Sequence, residues 1–141
     1  MARGRQELTP QEKDLLERAR EAGSAAYCPY SRFPVGAAVL TDKGVFTGCN
    51  IENASYGLAV CAERVALFQA ISNGATRFLL LAVSCLAASA TDPTGSRMPC
   101  GACRQVMAEF LAPETPILVD GAGVWTIMEL LPDAFLLTKM P

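Results

Sequence analysis

The chain has 141 residues, of which 51% are hydrophobic and 18% charged; this suits one compact domain with a full core, and excludes two domains or a disordered chain. Its 12 Lys and Arg residues against 14 Asp and Glu residues give a net charge of −2, whereas a binder of nucleic acid polymers usually carries a basic excess. The chain contains no histidine, which excludes a Ser-His-Asp triad, a Cys-His dyad, histidine-ligated metals and an imidazole general base.

Six cysteines occur in a chain whose N-terminus lacks the apolar segment of a secretory signal peptide. The longest apolar run, around residues 78–83, is too short to span a bilayer. We therefore expect a cytoplasmic, reducing location and no membrane partner. Cysteines there are more often free or metal-bound than paired in disulfides.

The first predicted element is a helix that follows a flexible arm over residues 1–8. Thr9 as N-cap, Pro10 at the first helical position and Glu12 form a capping box, and Gly23 is expected to end the helix. Apolar residues at helical spacing form the stripe that should face the core: Leu15, Leu16, Ala19 and Ala22.

A β-hairpin is predicted after a rigid loop over residues 26–34, which contains two prolines and three aromatic residues. Its strands are expected at residues 35–40 and 45–50, around a turn at residues 41–44. Glycines within both strands indicate that another backbone approaches them closely.

An irregular polar segment over residues 51–60 leads into a helix predicted for residues 61–72. That helix is apolar nearly all round, so we expect it to lie buried at the centre of the domain. A continuous apolar strand at residues 78–85 is typical of the interior of a sheet. A loop over residues 91–99 then leads to a second, short helix at residues 100–111.

The last predicted elements are two short strands and a short helix. The strands lie at residues 116–120 and 124–126, and the helix runs through Leu131 with a capping box formed by Thr126 and Glu129. The order of all the elements predicts a three-layer α/β/α sandwich built on a five-stranded mixed sheet. Since no repeat or linker interrupts it, one domain over residues 1–141 is expected.

Three cysteines at predicted helix starts form a candidate metal site. Cys100 and Cys103 are three residues apart, so their side chains lie on one face of a helix, and Cys61 opens the other helix. Soft thiolates favour zinc over magnesium or calcium, and helix N-termini lower thiol pKa values. With only three protein ligands, a zinc ion keeps an open position for water.

Glu63 is the candidate proton carrier beside this site. A carboxylate within hydrogen-bond reach of the water can take its proton and return it to a substrate nitrogen, a contribution of about 10²–10⁴-fold. Taken alone, Glu63 would be interpreted as an exposed carboxylate favoured by the helix dipole, but its place between the ligand segments favours catalysis. Three thiolates on one divalent cation leave a negative charge, which Arg64 and the helix dipoles could offset.

Four blocks of the sequence resemble the short-chain, homotetrameric, zinc-dependent cytidine deaminases. The blocks are Phe33–Ala38, Asn50–Tyr56, Cys61–Arg64 and Pro99–Arg104, and they follow one another in the family's order. The resemblance runs from about residue 9 to residue 136 and covers nearly the whole chain.

This resemblance implies hydrolytic deamination of cytidine and deoxycytidine to uridine and deoxyuridine plus ammonia, as in pyrimidine salvage. One Zn²⁺ per subunit, on Cys61, Cys100 and Cys103, would hold the hydroxide that attacks C4 of cytosine, the mechanism known for zinc deaminases. Glu63 would carry the water proton to N3 and then assist the loss of ammonia.

The resemblance also implies the residues of the substrate pocket in a homotetramer with shared sites. Asn50 and Glu52 match positions that hold the ribose hydroxyls, and Phe135 matches an aromatic residue that a neighbouring subunit places over the base. The full set of implied substrate contacts is Phe33, Asn50, Glu52, Ala54, Tyr56, Ala62 and Phe135. Arg64 and Arg104 match positions near the thiolates and are interpreted as compensating their charge.

Other interpretations stay open. A non-catalytic structural zinc site would need a fourth sulfur from Cys28, Cys49 or Cys85; otherwise Cys28 and Cys85 are interpreted as small buried hydrophobic residues. A deaminase of another cytosine nucleoside, such as blasticidin S, would share the site and differ in pocket shape, although Asn50 and Glu52 favour a ribose. The acidic net charge argues against an enzyme that edits nucleic acid polymers.

Overall fold

The computed structural model describes residues 7–141, so the arm predicted for residues 1–8 lies outside the described residues except for its last two positions. Helix α1 (Pro10–Gly23) begins at the predicted capping box, in which Thr9 Oγ1 accepts a hydrogen bond from the Glu12 N–H and the Glu12 carboxylate accepts one from the Thr9 N–H. Leu8 packs against the core beside this helix.

Five strands form one mixed sheet in the order β2-β1-β3-β4-β5, which confirms the predicted architecture. β1 (Val35–Thr41) and β2 (Gly44–Cys49) make the predicted hairpin. β3 (Phe78–Cys85) pairs antiparallel with β1 and parallel with β4 (Pro116–Val119), and β5 (Gly123–Thr126) pairs antiparallel with β4. The observed strands differ from the predicted ones by one residue at most at either end.

Helices cover both faces of the sheet. α1 packs on one face, where Ala38 of β1 belongs to the same buried cluster as the apolar residues of α1. α2 (Ala62–Ser72) and α3 (Gly101–Phe110) pack on the other face, toward which Ala37 and Val39 of β1 point. This alternation along β1 is the two-residue period expected of a strand buried on both sides. A short α4 (Ile127–Leu130) follows β5, and its capping box of Thr126 and Glu129 is as predicted.

Two glycines allow the helices to approach the sheet closely. A Cβ on Gly36 would lie 1.8 Å from the Ala19 carbonyl oxygen of α1, and a Cβ on Gly48 would lie 2.5 Å from the Ala66 nitrogen of α2. The sequence prediction that these glycines mark close backbone contacts is therefore confirmed. The second contact holds α2 against the hairpin and so fixes where its N-terminus points.

The prediction that α2 lies buried at the centre of the domain is wrong for the chain on its own. Its buried residues are Ala62, Glu63, Ala66, Leu67 and Ala70, whereas Phe68 is 47% exposed and Gln69 is exposed beside it. In a three-layer sandwich the sheet covers only one side of an outer helix. The composition of α2 therefore leaves an apolar residue facing outward.

Among residues 7–141, no helix combines the length with the apolar character that crossing a membrane requires.

Candidate metal centre and active site

The N-termini of α2 and α3 meet and bring three sulfurs together. Cys61 is the N-cap residue of α2, Cys100 is the N-cap residue of α3, and Cys103 lies in the first turn of α3. The Cys61 and Cys100 sulfurs are 3.8 Å apart, those of Cys100 and Cys103 are 3.5 Å apart, and all three lie within 4.8 Å of one another. Thiolates on one tetrahedral zinc, at about 2.3 Å from the metal, would be roughly 3.8 Å apart, so this set fits zinc.

Neither N-cap cysteine uses its sulfur to cap its own helix, so both are available to a metal. Within the described residues, the cluster of possible ligands contains these three cysteines and not Cys28, Cys49 or Cys85. A structural site with four sulfurs therefore finds no fourth ligand here. Cys28 and Cys85 are also only partly buried, so their interpretation as buried packing residues is wrong: Cys28 lies in a loop and Cys85 at the end of β3.

The electrostatics of the cluster favour a thiolate at Cys61. Its pKa falls to about 5 because the Cys103 thiol and the Arg64 guanidinium donate hydrogen bonds to its sulfur, the Arg64 Nη2 at 3.4 Å. The pKa of Cys103 is raised, since its thiol is the donor in that pair. Arg64 thus places a positive charge beside the sulfurs, and its partner is Cys61.

Arg104 makes a different set of contacts. Its Nε donates to the Pro99 carbonyl oxygen and its Nη1 to the Leu130 carbonyl oxygen, both at 2.8 Å. These bonds fix the residue immediately before Cys100 and tie α3 to the end of α4. Because they go to carbonyl oxygens, the role of Arg104 in offsetting the thiolate charge stays a prediction.

Glu63 lies in the first turn of α2, directly beside the cluster. It is 4% exposed, and it lines the same cavity as Cys61 and Cys100. Burial raises the pKa of its carboxyl group to about 7. A group with a pKa near the working pH can both accept and give up a proton, as a general acid–base requires.

A cavity of about 390 Å³ opens beside the sulfurs. This volume lies within the range of roughly 300–1,000 Å³ typical of small-molecule sites. Its lining contains most of the predicted site residues, namely Phe33, Asn50, Glu52, Cys61, Ala62, Glu63 and Cys100. It also contains Cys85, Arg97 and Met98, which do not belong to the predicted active site.

Asn50 and Glu52 are held in place by backbone groups of residues 30–35, which lie in the loop before β1 and at its first residue. Asn50 accepts a hydrogen bond from the Val35 N–H at 2.8 Å and donates one to the Phe33 carbonyl oxygen at 2.9 Å. Glu52 Oε1 accepts from the N–H groups of Tyr30 and Ser31, and hydrogen bonds from Ser31 lower its pKa. An amide has two donor hydrogens and two acceptor lone pairs, so Asn50 retains capacity for a ligand.

Three of the predicted substrate contacts lie outside this cavity in the single chain: Ala54, Tyr56 and Phe135. Tyr56 is 80% exposed and packs edge-on against Tyr30, with ring centroids 6.5 Å apart, in a neighbouring cavity that shares Glu52. Phe135 is exposed, and its carbonyl oxygen accepts a hydrogen bond from Gln105 of α3. The roles of these three residues stay predictions.

Comparison with known proteins points to one family. Residues 9–119 match the family described as "Cytidine and deoxycytidylate deaminase zinc-binding region". The chain is 48% identical over 130 residues to a cytidine deaminase of Mycobacterium tuberculosis, covering 90% of this chain and 91% of the relative. It is 44% identical over 126 residues to the cytidine deaminase of Sporosarcina psychrophila, covering 86% and 88% respectively. The crystal structure of cytidine deaminase from Burkholderia pseudomallei is similar with a TM-score of 0.78 at 45% identity, covering 91% of this chain and 100% of that one.

Proposed function

This chain belongs to the cytidine deaminase family, and on that premise we propose that it hydrolyses cytidine and deoxycytidine to uridine and deoxyuridine with release of ammonia. The observation that carries the proposal is that Glu63 opens into a nucleoside-sized cavity together with Cys61 and Cys100, two sulfurs of a cluster that fits zinc. That arrangement places a metal site, a proton carrier and space for a substrate next to one another.

The protein residues divide the chemistry among them. Cys61, Cys100 and Cys103 would hold the zinc, which when bound would act as a Lewis acid that lowers the pKa of water enough to make it a nucleophile at neutral pH. Glu63 takes the proton of the attacking water, delivers it to N3 of cytosine and then assists the departure of ammonia. The Glu63 carboxyl group is itself buried, so it is largely shielded from bulk water where it meets the cavity.

The substrate specificity follows from three other residues that line the cavity. Asn50 and Glu52 present an amide and a carboxylate that can bind the ribose hydroxyls, while Phe33 packs against the base. Both polar side chains are already held by the backbone, so little conformational entropy is lost when they bind a ligand. This favours a ribosyl or deoxyribosyl substrate over blasticidin S.

The activity is expected to depend on bound zinc. We expect the purified protein to convert cytidine to uridine, measured as loss of the long-wavelength absorbance of cytosine, and to lose this activity after prolonged dialysis against a chelator. One equivalent of zinc should restore it and magnesium should not, because the ligands are soft thiolates. Full activity in protein shown by metal analysis to be free of zinc would contradict the proposal. Preferential turnover of blasticidin S over cytidine in a competition assay would identify blasticidin S as the better substrate.

We further propose that the enzyme is a short-chain cytoplasmic homotetramer whose active sites are shared between subunits. Free cysteines suit a reducing compartment. The single chain also exposes more large apolar side chains than a monomer needs, including Tyr56, Leu58, Phe68, Phe135, Leu136 and Leu137. Contacts between subunits would cover these residues and would bring Phe135 to the cavity of a neighbour.

A subunit-mixing experiment tests this assembly. Phe135→Ala should raise the KM for cytidine by about 10-fold, since stacking on a base is worth about 1–3 kcal/mol. Refolding it together with the inactive Glu63→Ala variant should give more activity than the sum of the two at cytidine concentrations below the raised KM, because some sites then combine an intact Glu63 with an intact Phe135. Activity equal to the sum, or a fully active monomer in light scattering, would contradict shared sites.

A further inference from the structure

We propose that Arg97 is a positioning residue for substrate binding: its guanidinium fixes the segment of residues 96–98, which forms one wall of the active-site cavity. Ser96, Arg97 and Met98 all line that cavity. The inference rests on the proposed function, because the wall matters only if a nucleoside occupies the cavity.

Arg97 is buried although it belongs to the long loop between β3 and α3; it is 9% exposed. Its Nη1 donates to the Gly121 carbonyl oxygen at 2.9 Å, and its Nη2 donates to the Ser89 carbonyl oxygen. Its own carbonyl oxygen accepts a hydrogen bond from the Cys85 thiol at 3.7 Å. One residue therefore joins the loop, the turn between β4 and β5, and the end of β3.

The type of residue at this position matters as well as its burial. Within the described residues no carboxylate forms an ion pair with Arg97, and the nearby Asp120 is already bound by Arg20 and Ser84. Arg97 Nε has no hydrogen-bond partner there either. Asp120 interacts electrostatically with Arg97 at longer range without forming an ion pair, and a buried charge with so weak a counterion is costly, so packing alone would favour an apolar side chain. Reaching two carbonyl oxygens from different segments requires the forked donor that arginine provides.

Gly121 shows that the turn is shaped to receive this guanidinium. Its φ angle is +74°, a conformation that favours glycine, and a Cβ at this position would lie 2.6 Å from Arg97 Nη1. Any larger residue at position 121 would push the guanidinium away from the carbonyl oxygen it binds. The contact can therefore be disturbed from either partner.

The two arginines of this region act on different parts of the same segment. Arg104 holds the Pro99 carbonyl oxygen, next to the ligand Cys100, whereas Arg97 holds the cavity wall before it. Losing the Arg97 bonds should loosen the wall while Arg104 keeps Cys100 in place. Substrate binding should weaken, and the zinc should stay bound.

The test compares steady-state kinetics and zinc content of Arg97→Gln and Arg97→Lys with the wild-type holoenzyme. Arg97→Gln should raise the KM for cytidine by about 10–100-fold, the effect expected when hydrogen bonds from a charged group are lost, with kcat changed by less than about 3-fold and one zinc per chain retained. Arg97→Lys keeps the charge and can reach one carbonyl oxygen, so its KM should lie between those of the wild type and Arg97→Gln.

Gly121→Ala provides an independent disturbance and Gly74→Ala a matched control. Gly121→Ala should raise KM in the same way, and together with Arg97→Lys it tests the inference if Arg97→Gln does not fold. Gly74 also has a positive φ angle, of +89°, but open space around its Cβ position, so Gly74→Ala adds the same kind of backbone strain without touching Arg97 and should leave KM unchanged.

Two results would overturn the inference. One is a lower melting temperature with an unchanged KM, which is what a purely structural role gives. The other is loss of zinc in parallel with kcat, which would mean that Arg97 acts on the metal ligands. Absence of cytidine turnover in the zinc-loaded wild type would instead overturn the proposed function, and the two failures are therefore distinguishable.

Discussion

Glu63→Gln is expected to keep its zinc and to lose nearly all turnover of cytidine. The amide has the shape of the carboxyl group but can neither take the water proton nor deliver it to N3, so kcat should fall by at least about 10²–10⁴-fold. Because Glu63 is buried, the neutral amide should not lower the melting temperature. The measurements are kcat from the absorbance assay, zinc per chain from metal analysis, and thermal unfolding.

The matched control is Glu114→Gln, the same chemical change at an exposed position in the turn before β4. It should leave kcat, KM and zinc content unchanged. If Glu63→Gln turned over cytidine within about tenfold of the wild type, another group would have to carry the proton. If it lost its zinc as well, Glu63 would be helping to hold the metal, and the role assigned to it would be wrong.

The elements that the sequence predicted well depend on residues close together in the chain. The capping boxes of Thr9 with Glu12 and of Thr126 with Glu129 each form within four residues, so both helix starts could be placed correctly. The Cys100 and Cys103 pair is likewise local. Cys61 could be added to it because a cysteine and a glutamate opening an apolar helix is an unusual combination.

The features that were missed depend on residues distant in the chain. Arg97 lies in a polar loop, and its burial comes from contacts with Ser89 and Gly121, 8 and 24 positions away. The sequence also allowed Asn50 to be a loop residue with local backbone hydrogen bonds, but its observed bonds to Phe33 and Val35 span 17 and 15 positions, so these partners could not be predicted. No local pattern reports such pairings.

The exposed face of α2 has another cause. Apolar composition indicates that a helix face will be covered, but it does not indicate by what. Phe68 is exposed in the single chain. The sequence would predict burial equally well whether the rest of the domain or a second copy of the chain covered this residue. Phe68 therefore bears both on the prediction that α2 is buried and on the proposal of a tetramer.

Cys103→Ser is expected to abolish zinc binding and, with it, deamination. A serine hydroxyl is not ionised at neutral pH and is a hard ligand, so only two of the three sulfurs would remain. The loss of zinc affinity should exceed about 100-fold, since losing a residue that merely supports a ligand already costs about 10–100-fold. Zinc per chain after dialysis, cytidine turnover and thermal unfolding are the measurements. The melting temperature should also fall, because a metal that binds only the folded state stabilises it.

Cys49→Ser is the matched control, because Cys49 is a partly buried cysteine at the end of β2 that does not belong to the sulfur cluster. This variant should keep one zinc per chain and full activity, and X-ray absorption of the wild-type enzyme should count three sulfurs around the metal. Loss of zinc in Cys49→Ser, together with four sulfurs in the wild type, would instead identify a closed structural site. A closed site leaves no position for water, so that result would remove the basis for catalysis here.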